Sequence, residues 1–249
     1  MGQVIAVVSG KGGTGKTSFT ALVGSALAQM GYRTLCLDCD VGLRNLDLAF
    51  GMSDCALMDF SDVIASRAAL EQAAVRHPFC EKLYLLTAPV SLRAGSIPLD
   101  GMRALTDDIR KKFDYCLIDS GAGLGDAFQL AVCGADRAVV VATTDPTSLR
   151  DAQRTVMELR RFPNGKLHLV VNRVRRRLLK ALRSNIDDAI DAAGLPLLGV
   201  IPEDEDIPIA LGHSALTVFS SRSYAELACR NIARRLTGEH VPLMRLPRR

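Results

Sequence analysis

The residues most suited to chemistry form a glycine-rich segment near the N-terminus, Gly10-Lys11-Gly12-Gly13-Thr14-Gly15-Lys16-Thr17, followed by Ser18. It fits the pattern G-x-x-x-x-G-K-[ST], and it stands between an aliphatic run ending at Ser9 and a helical pattern beginning at Lys16. Glycines let backbone N–H groups surround phosphates, and a helix N-terminus favours negative charge. Lys16 would reach the β- and γ-phosphates, and the Thr17 hydroxyl would bind Mg²⁺. Residues 10–17 therefore predict a phosphate-binding loop (P-loop).

Lys11 is a second lysine in this loop, and an ordinary P-loop does not need it. Here the sequence resembles the deviant Walker A family that contains MinD and ParA, in which the loop reads K-G-G-x-G-K-[ST]. The resemblance implies that Lys11 crosses a dimer interface to the nucleotide of a partner copy, as an arginine finger does. A cation acting within its own chain, or a solvated loop lysine, is the alternative.

Two carboxylates follow the second aliphatic run, in Asp38-Cys39-Asp40-Val41-Gly42-Leu43-Arg44-Asn45-Leu46-Asp47. Ligands of open α/β sheets bind beyond the carboxyl ends of the strands, so Asp38 and Asp40 are expected to face the P-loop. The segment closely resembles that of MinD-like family members. The resemblance implies that Asp40 positions or activates the attacking water and that Asp38 contacts the water shell of Mg²⁺. Asp47 is interpreted as a cap or turn residue.

Another aliphatic run ends in a carboxylate at Asp119, which is the Walker B pattern, and this residue would hold Mg²⁺ through water. Family members usually continue with proline and later glutamate, where this chain has Gly121 and Gly125. The resemblance therefore leaves open whether the switch segment after Asp119 is looser than in the family or has altered contacts with a partner.

Asn172 ends a further aliphatic run, at a point where the family uses asparagine to read adenine. An amide can pair with adenine N6 and N7 together, and the sequence has no N-K-x-D motif for guanine. ATP is therefore favoured over GTP, with Asn172 or Arg173 near the base and Pro202, by resemblance, packed beside it. A turn role for Asn172 is the alternative.

Four basic residues, Arg173, Arg176, Lys180 and Arg183, have helical spacing, and Leu178, Leu179, Leu182 and Ile186 mark the opposite side as core. A solvated basic face is the default interpretation, with an anionic partner as the alternative. Because ParA-type relatives bind DNA without sequence preference, these residues are the best candidates for non-specific DNA binding.

The elements that would position these residues alternate along the chain. Runs rich in aliphatic residues predict strands at Val4–Val8, Thr34–Asp38, Leu83–Thr87, Tyr115–Asp119, Arg137–Ala142, Leu167–Asn172 and Leu197–Ile201. Helical spacing predicts helices at Lys16–Gln29, Asp100–Lys112, Thr147–Arg160, Leu178–Ala193 and Ser223–Leu236. This alternation predicts an α/β, three-layer P-loop NTPase fold, with a mostly parallel sheet of seven to eight strands and helices on both faces.

Composition and length limit the class of protein, the number of domains and the cell compartment that the sequence can indicate. The 249 residues are 48% apolar and 23% charged, as in ordinary globular domains, and they predict one ATPase domain over residues 1–240 and a short basic tail over 241–249. Seven dispersed cysteines and no apolar run near the roughly 18 residues of a membrane span predict a cytoplasmic protein. The net charge of +4 is too small to indicate nucleic acid by itself.

The resemblance extends from Val4 to Met244. MinD-like proteins continue into an amphipathic membrane-binding helix, but here Arg245-Leu246-Pro247-Arg248-Arg249 follows and ends the sequence. Because Pro247 opposes a helix and the tail carries few basic residues, we expect weak attraction to the inner face of the cell membrane, or binding that needs a dimer to present two tails.

The resemblance implies a switch that forms a homodimer with Mg²⁺ and ATP, hydrolyses ATP slowly under a protein activator, and serves placement of the division septum. ParA-like partitioning of DNA or another cargo is the first alternative. A small-molecule kinase would need an acceptor pocket, for which the sequence has no signature. A scaffold that binds nucleotide without hydrolysing it is the last alternative, because of Gly121 and Gly125.

Overall fold

The computed structural model describes residues 1–53, 55–163, 165–182, 185–212 and 223–246. Within these ranges, eight strands form one sheet in the order β3-β4-β2-β5-β1-β6-β7-β8. The strands are β1 Gln3–Val8, β2 Thr34–Cys39, β3 Val75–Arg76, β4 Leu83–Leu86, β5 Tyr115–Ser120, β6 Arg137–Ala142, β7 Leu167–Val174 and β8 Leu197–Pro202. All neighbours are parallel except β3 and β4. The predicted mostly parallel sheet is confirmed, with the two-residue strand β3 as an addition.

Helices cover both faces of the sheet. They are α1 Lys16–Gln29, α2 Leu46–Phe50, α3 Phe60–Ile64, α4 Leu70–Ala73, α5 Leu99–Lys112, α6 Asp126–Cys133, α7 Pro146–Glu158, α8 Arg176–Leu182, α9 Ile186–Ala193, α10 Asp206–Gly212 and α11 Tyr224–Leu236. A short 3₁₀ turn occupies Ala94–Ser96. Among these described helices none is both long and apolar enough to cross a membrane.

The core explains why the strands are apolar throughout. Successive strand residues point to opposite faces, so Ile5 and Val7 pack with α1 and α11 whereas Ala6 and Val8 pack with α6 and α7. All four side chains are fully buried. A strand covered on both faces cannot alternate apolar with polar residues, and this explains the uninterrupted aliphatic runs.

The helix predicted over Leu178–Ala193 is wrong, because two helices, α8 and α9, occupy this part of the chain. Asn185 has an extended backbone, its side chain accepts from the Asp188 N–H, and the Asp188 carboxylate accepts from the Asn185 N–H. This reciprocal capping box starts a new helix at Ile186 and prevents a continuous one.

The single basic helical face is also wrong. Arg173 lies in β7, where its φ is +56°. Of the four basic residues in that prediction, only Arg176 and Lys180 are described on α8. Leu179 is buried as expected, but Leu178 is 44% exposed and does not belong to the core. Arg183 and the side chain of Leu182 lie outside the described residues.

The segment after α11 is fastened to the domain by Arg235. Its guanidinium donates to the carbonyls of Leu198, Val241 and Pro242, at 2.9, 2.9 and 2.8 Å. Met244 and Leu246 pack against the core clusters, so residues 241–246 lie along the domain surface. Residues 247–249 are outside the described ranges.

Candidate nucleotide site

The P-loop joins β1 to α1 at the carboxyl edge of the sheet. Gly13 and Gly15 have φ values of +76° and +89°, a conformation that favours glycine, and Gly15 directly precedes the first turn of α1. The loop opens onto a cavity of about 470 Å³, lined among others by Gly12, Gly13, Gly15, Lys16, Thr17, Ser18, Asp40, Asn45, Asn172, Arg173 and Pro202. The structure therefore brings most of the predicted site residues to one cavity.

The remaining P-loop residues hold the loop in place. A Cβ on Gly10 would lie 2.6 Å from the carbonyl oxygen of Asp151, so α7 packs directly on this glycine. Thr14 is buried, and its carbonyl accepts from the Asn172 side chain. Gly10 and Thr14 thus fix the backbone from outside the cavity.

Lys16 supplies the buried positive charge of the site. Its Nζ donates to Ser9 Oγ at 2.9 Å. Burial lowers the pKa of Lys16, while the nearby carboxylates of Asp119 and Asp40 oppose this effect. A lysine held in this way can meet phosphate oxygens without first leaving a strong ion pair.

Asp119, near the end of β5, is a buried carboxylate whose charge is not fully balanced by hydrogen bonds or nearby cations. It is 1% exposed, and its Oδ1 has no hydrogen-bond partner among the described residues. Burial and the neighbouring Asp38 raise the pKa of Asp119 to about 8, despite a hydrogen bond with Thr17 and the charge of Lys16. A buried carboxylate beside a threonine hydroxyl, with an oxygen to spare, fits Mg²⁺, which prefers oxygen ligands.

Asp38, at the end of β2, has both carboxylate oxygens occupied. Oδ1 accepts from the Asp40 N–H at 2.9 Å, and Oδ2 accepts from the Leu46 N–H at 3.0 Å. Burial raises the pKa of Asp38 to about 6, although these two hydrogen bonds lower it. Asp38 thus shapes the loop that carries Asp40, and its contact with the Mg²⁺ water shell stays a prediction.

Asp40 reaches the cavity with a half-buried carboxylate. Burial raises its pKa, whereas Lys16 and a hydrogen bond from the Asn45 side chain lower it. Asn45 also lines the cavity, and the sequence interpretation gave it no role. Its position before α2 is a capping signal, but its side chain makes no cap bond there, so it is available to Asp40.

Lys11 lies apart from the other site residues. Its Nζ is 3.0 Å from Thr147 Oγ1 and 3.4 Å from Asp145 Oδ1, in an adjacent groove of about 340 Å³. Its side chain is 45% exposed, so it can be reached by another molecule. The sequence interpretation did not include Asp145, although an Asp-Pro pair at a helix start is a recognisable N-cap signal.

Asn172 and Arg173 join the P-loop to the opposite end of the cavity. Asn172 Nδ2 donates to the Thr14 carbonyl at 2.8 Å, and its Oδ1 accepts from the Arg173 N–H. Arg173 donates to the Gly13 carbonyl at 3.3 Å and to Glu203 at 3.1 Å. Pro202 and Glu203 line the cavity beside them. This end has the amide, the flat guanidinium and the apolar ring that a nucleobase would need.

The chain matches the family described as CobQ/CobB/MinD/ParA nucleotide binding domain over residues 5–217. The septum site-determining protein MinD of Bacillus subtilis is 37% identical over 98% of this chain and 92% of that protein. The MinD cell division protein of Aquifex aeolicus has a TM-score of 0.88 and 33% identity, covering 98% of this chain and 100% of that one.

Two further solved structures are similar to this chain. A MinC:MinD cell division protein complex from Aquifex aeolicus has a TM-score of 0.89 and 33% identity, over 98% of each chain. MinD of Pyrococcus horikoshii, complexed with Mg-ADP, has a TM-score of 0.82 and 29% identity, over 95% of this chain and 96% of that one. The P-loop and the buried Asp119 are consistent with these relatives. The chain belongs to the MinD/ParA family, as a MinD-like ATPase that uses ATP and Mg²⁺.

Proposed function

We propose that the chain is an ATP-driven dimerising switch that helps to place the division septum. The observation that carries this proposal is the position of Lys11, which is part of the P-loop yet extends away from the cavity lined by Lys16. A lysine that served only its own nucleotide would be expected to line that cavity, whereas Lys11 lines the adjacent groove. Septum placement is supported by the names of the MinD relatives.

Within each chain, different residues would bind the phosphates, hold Mg²⁺ and position the attacking water. The P-loop amides and Lys16 bind the phosphates, while Thr17 and Asp119 would hold Mg²⁺, which neutralises charge on the phosphates. Asp40, steadied by Asn45, positions the attacking water. The ammonium group of Lys11 contacts the phosphates of the nucleotide bound by the partner copy. Hydrolysis removes the terminal phosphate and with it this contact between the two copies.

The base end of the cavity gives preference for adenine. After bonding Thr14 and Arg173, the Asn172 amide retains one N–H and one oxygen lone pair. These can pair with adenine N6 and N7, with Pro202 packed against the base. The ion pair between Arg173 and Glu203 lies at this end of the cavity.

Solution mass by light scattering tests the switch. Asp40→Ala is expected to bind Mg-ATP without hydrolysing it and to double its mass, while the same variant in Mg-ADP stays a monomer. Adding Lys11→Ala to Asp40→Ala should abolish the doubling but retain ATP binding. A monomeric Asp40→Ala that binds ATP would contradict the proposal.

The similarity to MinD proteins, among them a cell division ATPase of Pyrococcus furiosus, supports ATP hydrolysis over the kinase and scaffold alternatives. A protein of the division machinery is the proposed activator, because a similar structure contains MinC together with MinD. We further propose that any membrane binding requires the ATP dimer, which presents two copies of the 241–246 segment. Co-sedimentation with vesicles containing anionic lipids should thus require ATP, and equal binding in ADP would contradict this.

Partitioning of DNA or another cargo is the second candidate. Arg176, Arg177 and Lys180 on α8 form no ion pair with any described residue, in contrast to Arg173 and Arg175, which bond Glu203. If three phosphates are contacted, affinity for duplex DNA should fall roughly 40-fold between 50 and 200 mM salt.

The triple alanine variant of Arg176, Arg177 and Lys180 should lose this binding. A matched variant at Arg103, Lys111 and Lys112 removes the same charge from α5, where all three residues have ion-pair partners, and should retain it. Equal losses in the two variants, or no salt dependence, would remove this candidate.

A further inference from the structure

Ser9 lies between β1 and the P-loop, and the structure buries it completely. The sequence interpretation gave its side chain no role. The hydroxyl donates to the Lys11 carbonyl at 2.7 Å and accepts from Lys16 Nζ at 2.9 Å. One buried side chain is therefore bonded to both lysines of the loop, to the backbone of Lys11 and to the ammonium group of Lys16.

The directions of these two hydrogen bonds are fixed by the groups that make them. A carbonyl can only accept and an ammonium group can only donate, so the single hydroxyl proton of Ser9 points to Lys11. An oxygen lone pair then faces Lys16. The hydroxyl cannot rotate away from one lysine without changing its bond to the other.

For Lys16, the hydroxyl is a neutral partner that competes little with phosphate. The carboxylates of Asp119 and Asp40 are close enough for their charges to act on the same ammonium group. Without the hydroxyl, the strongest attraction left on Lys16 would come from these carboxylates, and an ion pair with Asp119 would occupy the group that fits Mg²⁺. Ser9 thus holds Lys16 apart from both carboxylates and ready for phosphate oxygens.

For Lys11, the same hydroxyl holds the backbone while the side chain extends outward. The Lys11 ammonium group lies beside Thr147 and Asp145, on the other side of the loop from the cavity lined by Lys16. A long, exposed side chain can place its charge reproducibly on another molecule only if its own backbone is held.

We propose that Ser9 is a positioning residue whose hydroxyl serves both lysines, so that ATP binding through Lys16 and dimerisation through Lys11 depend on one side chain. This inference rests on the role proposed for Lys11. It goes beyond that role, because it links the lysine that acts on the partner copy to the lysine that binds the chain's own nucleotide.

Ser9→Ala removes the hydroxyl and little else. The Cβ is retained, and so is the backbone bond in which the Ser9 carbonyl accepts from the Gly123 N–H at 3.2 Å. This bond ties the loop after β5 to the P-loop, so the substitution should leave that loop in place. Both lysines, however, lose a hydrogen bond.

The experiment compares Ser9→Ala with Ser25→Ala, each in the Asp40→Ala background. Ser25 is also buried, and its hydroxyl donates at the same distance of 2.7 Å, but to the carbonyl of Ala21 in its own helix α1. Calorimetric titration measures the affinity for Mg-ATP. Light scattering at saturating ATP measures the protein concentration of half-dimerisation, and thermal unfolding checks that every variant is folded.

Ser9→Ala should weaken ATP binding about two- to tenfold, because the long Lys16 side chain must then be ordered when ATP binds. At saturating ATP, half-dimerisation should need a roughly four- to 100-fold higher protein concentration, since a symmetric dimer contains the loop twice and each lost bond costs about two- to tenfold. Ser25→Ala should match its parent in both quantities. Ser9→Thr, which keeps the hydroxyl, should recover both.

Three results would overturn the inference. An unchanged ATP affinity or an unchanged dimerisation in Ser9→Ala would show that one hydroxyl does not serve both lysines. Equal losses in Ser25→Ala would indicate general damage from removing a buried serine. Losses in Ser9→Thr as large as those in Ser9→Ala would show that the hydroxyl is not the group that matters.

Lys11→Ala separates this inference from the proposed function. The chain with Asp40→Ala and Lys11→Ala should stay a monomer in ATP, and adding Ser9→Ala to it should still weaken ATP binding by the same factor. Loss of that effect would overturn the inference. Dimerisation of the chain with Asp40→Ala and Lys11→Ala would instead contradict the proposed function itself.

Discussion

Lys11 Nζ is 3.4 Å from Asp145 Oδ1, so the lysine proposed to act on a partner's nucleotide is ion-paired within its own chain. Asp145 caps α7 by accepting from the Ser148 N–H at 2.9 Å. Burial would raise the pKa of Asp145, but the bonds from Thr143, Thr147 and Ser148 and the charge of Lys11 hold it below its usual range. To reach another molecule, Lys11 must leave this carboxylate.

We predict that Asp145→Asn lowers the ATP concentration needed for dimerisation. Asparagine is also a good N-cap, so α7 should be retained while the attraction for Lys11 is lost. Because exposed ion pairs contribute about 0–1 kcal/mol, the ATP midpoint should fall by up to about fivefold. Light scattering in the Asp40→Ala background measures this midpoint.

Asp100→Asn is the matched control for that prediction. Asp100 lies in the first turn of α5, pairs with Arg103 and has no contact with Lys11. Its substitution should leave the midpoint unchanged. A midpoint for Asp145→Asn that equals or exceeds that of the control would show that the ion pair does not restrain Lys11.

Asn172→Ala should weaken nucleotide binding in two ways. The buried Thr14 carbonyl loses its hydrogen-bond donor, which costs about 1–3 kcal/mol and loosens the P-loop, so binding of any nucleotide should weaken, by about 150-fold at most. If the amide also reads adenine, the preference for ATP over GTP should decrease. Calorimetric titration with both nucleotides measures the two effects, and an unchanged ATP-to-GTP ratio would leave Asn172 with the P-loop role alone.

Asp119→Asn should stabilise the nucleotide-free protein at neutral pH. The folded-state pKa of Asp119, about 8, lies above the ordinary value of 3.8, so the folded protein holds a proton that the unfolded chain releases. Its contribution to stability is complete below about pH 4 and is lost as the pH rises towards 8. Asparagine has no such loss, and a gain of about 1 kcal/mol would raise Tm by roughly 2–4 °C.

Thermal unfolding of both proteins between pH 5 and pH 9 measures this difference. It should widen with pH without nucleotide and reverse in saturating Mg-ADP, because only the wild type can use its carboxylate for the metal. Ligand at about 100 times its dissociation constant contributes about 2.7 kcal/mol, most of which Asp119→Asn should lose. Parallel pH profiles without nucleotide would contradict the proposed burial effect.

The parts of the fold that sequence predicted well depend on local pattern. A strand buried on both faces is an aliphatic run, and β6 at Arg137–Ala142 has the predicted bounds. The capping box at Asn185 is also local, but the apolar spacing through Leu178 and Leu179 concealed it. Strand β3 has only two residues, Val75 and Arg76, and owes its existence to pairing with β4. A pair that short has no sequence pattern of its own.

In the candidate site, too, some residues could be predicted from local sequence pattern and others depend on contacts made by the folded chain. The P-loop could be predicted because phosphate chemistry requires its residue types and spacing, and the position of the carboxylates could be predicted because they end parallel strands. Asn45 and Asp145 act through the fold of their loops, for example the contact of Asp145 with Lys11, which is distant in the chain. Such contacts depend on how loops meet across the sheet edge, which residue types alone do not determine.

The two hydrogen bonds accepted by Asp38 have a consequence for how the 38–46 segment opens. One carboxylate holds the N–H of Asp40 with one oxygen and the N–H of Leu46 with the other. A single event, rotation of the Asp38 carboxylate, would therefore release both ends of the segment together. The amide protons of Asp40 and Leu46 should then exchange with solvent at a common rate, and the Asp40 carboxylate would be ordered or released as one cooperative unit with α2.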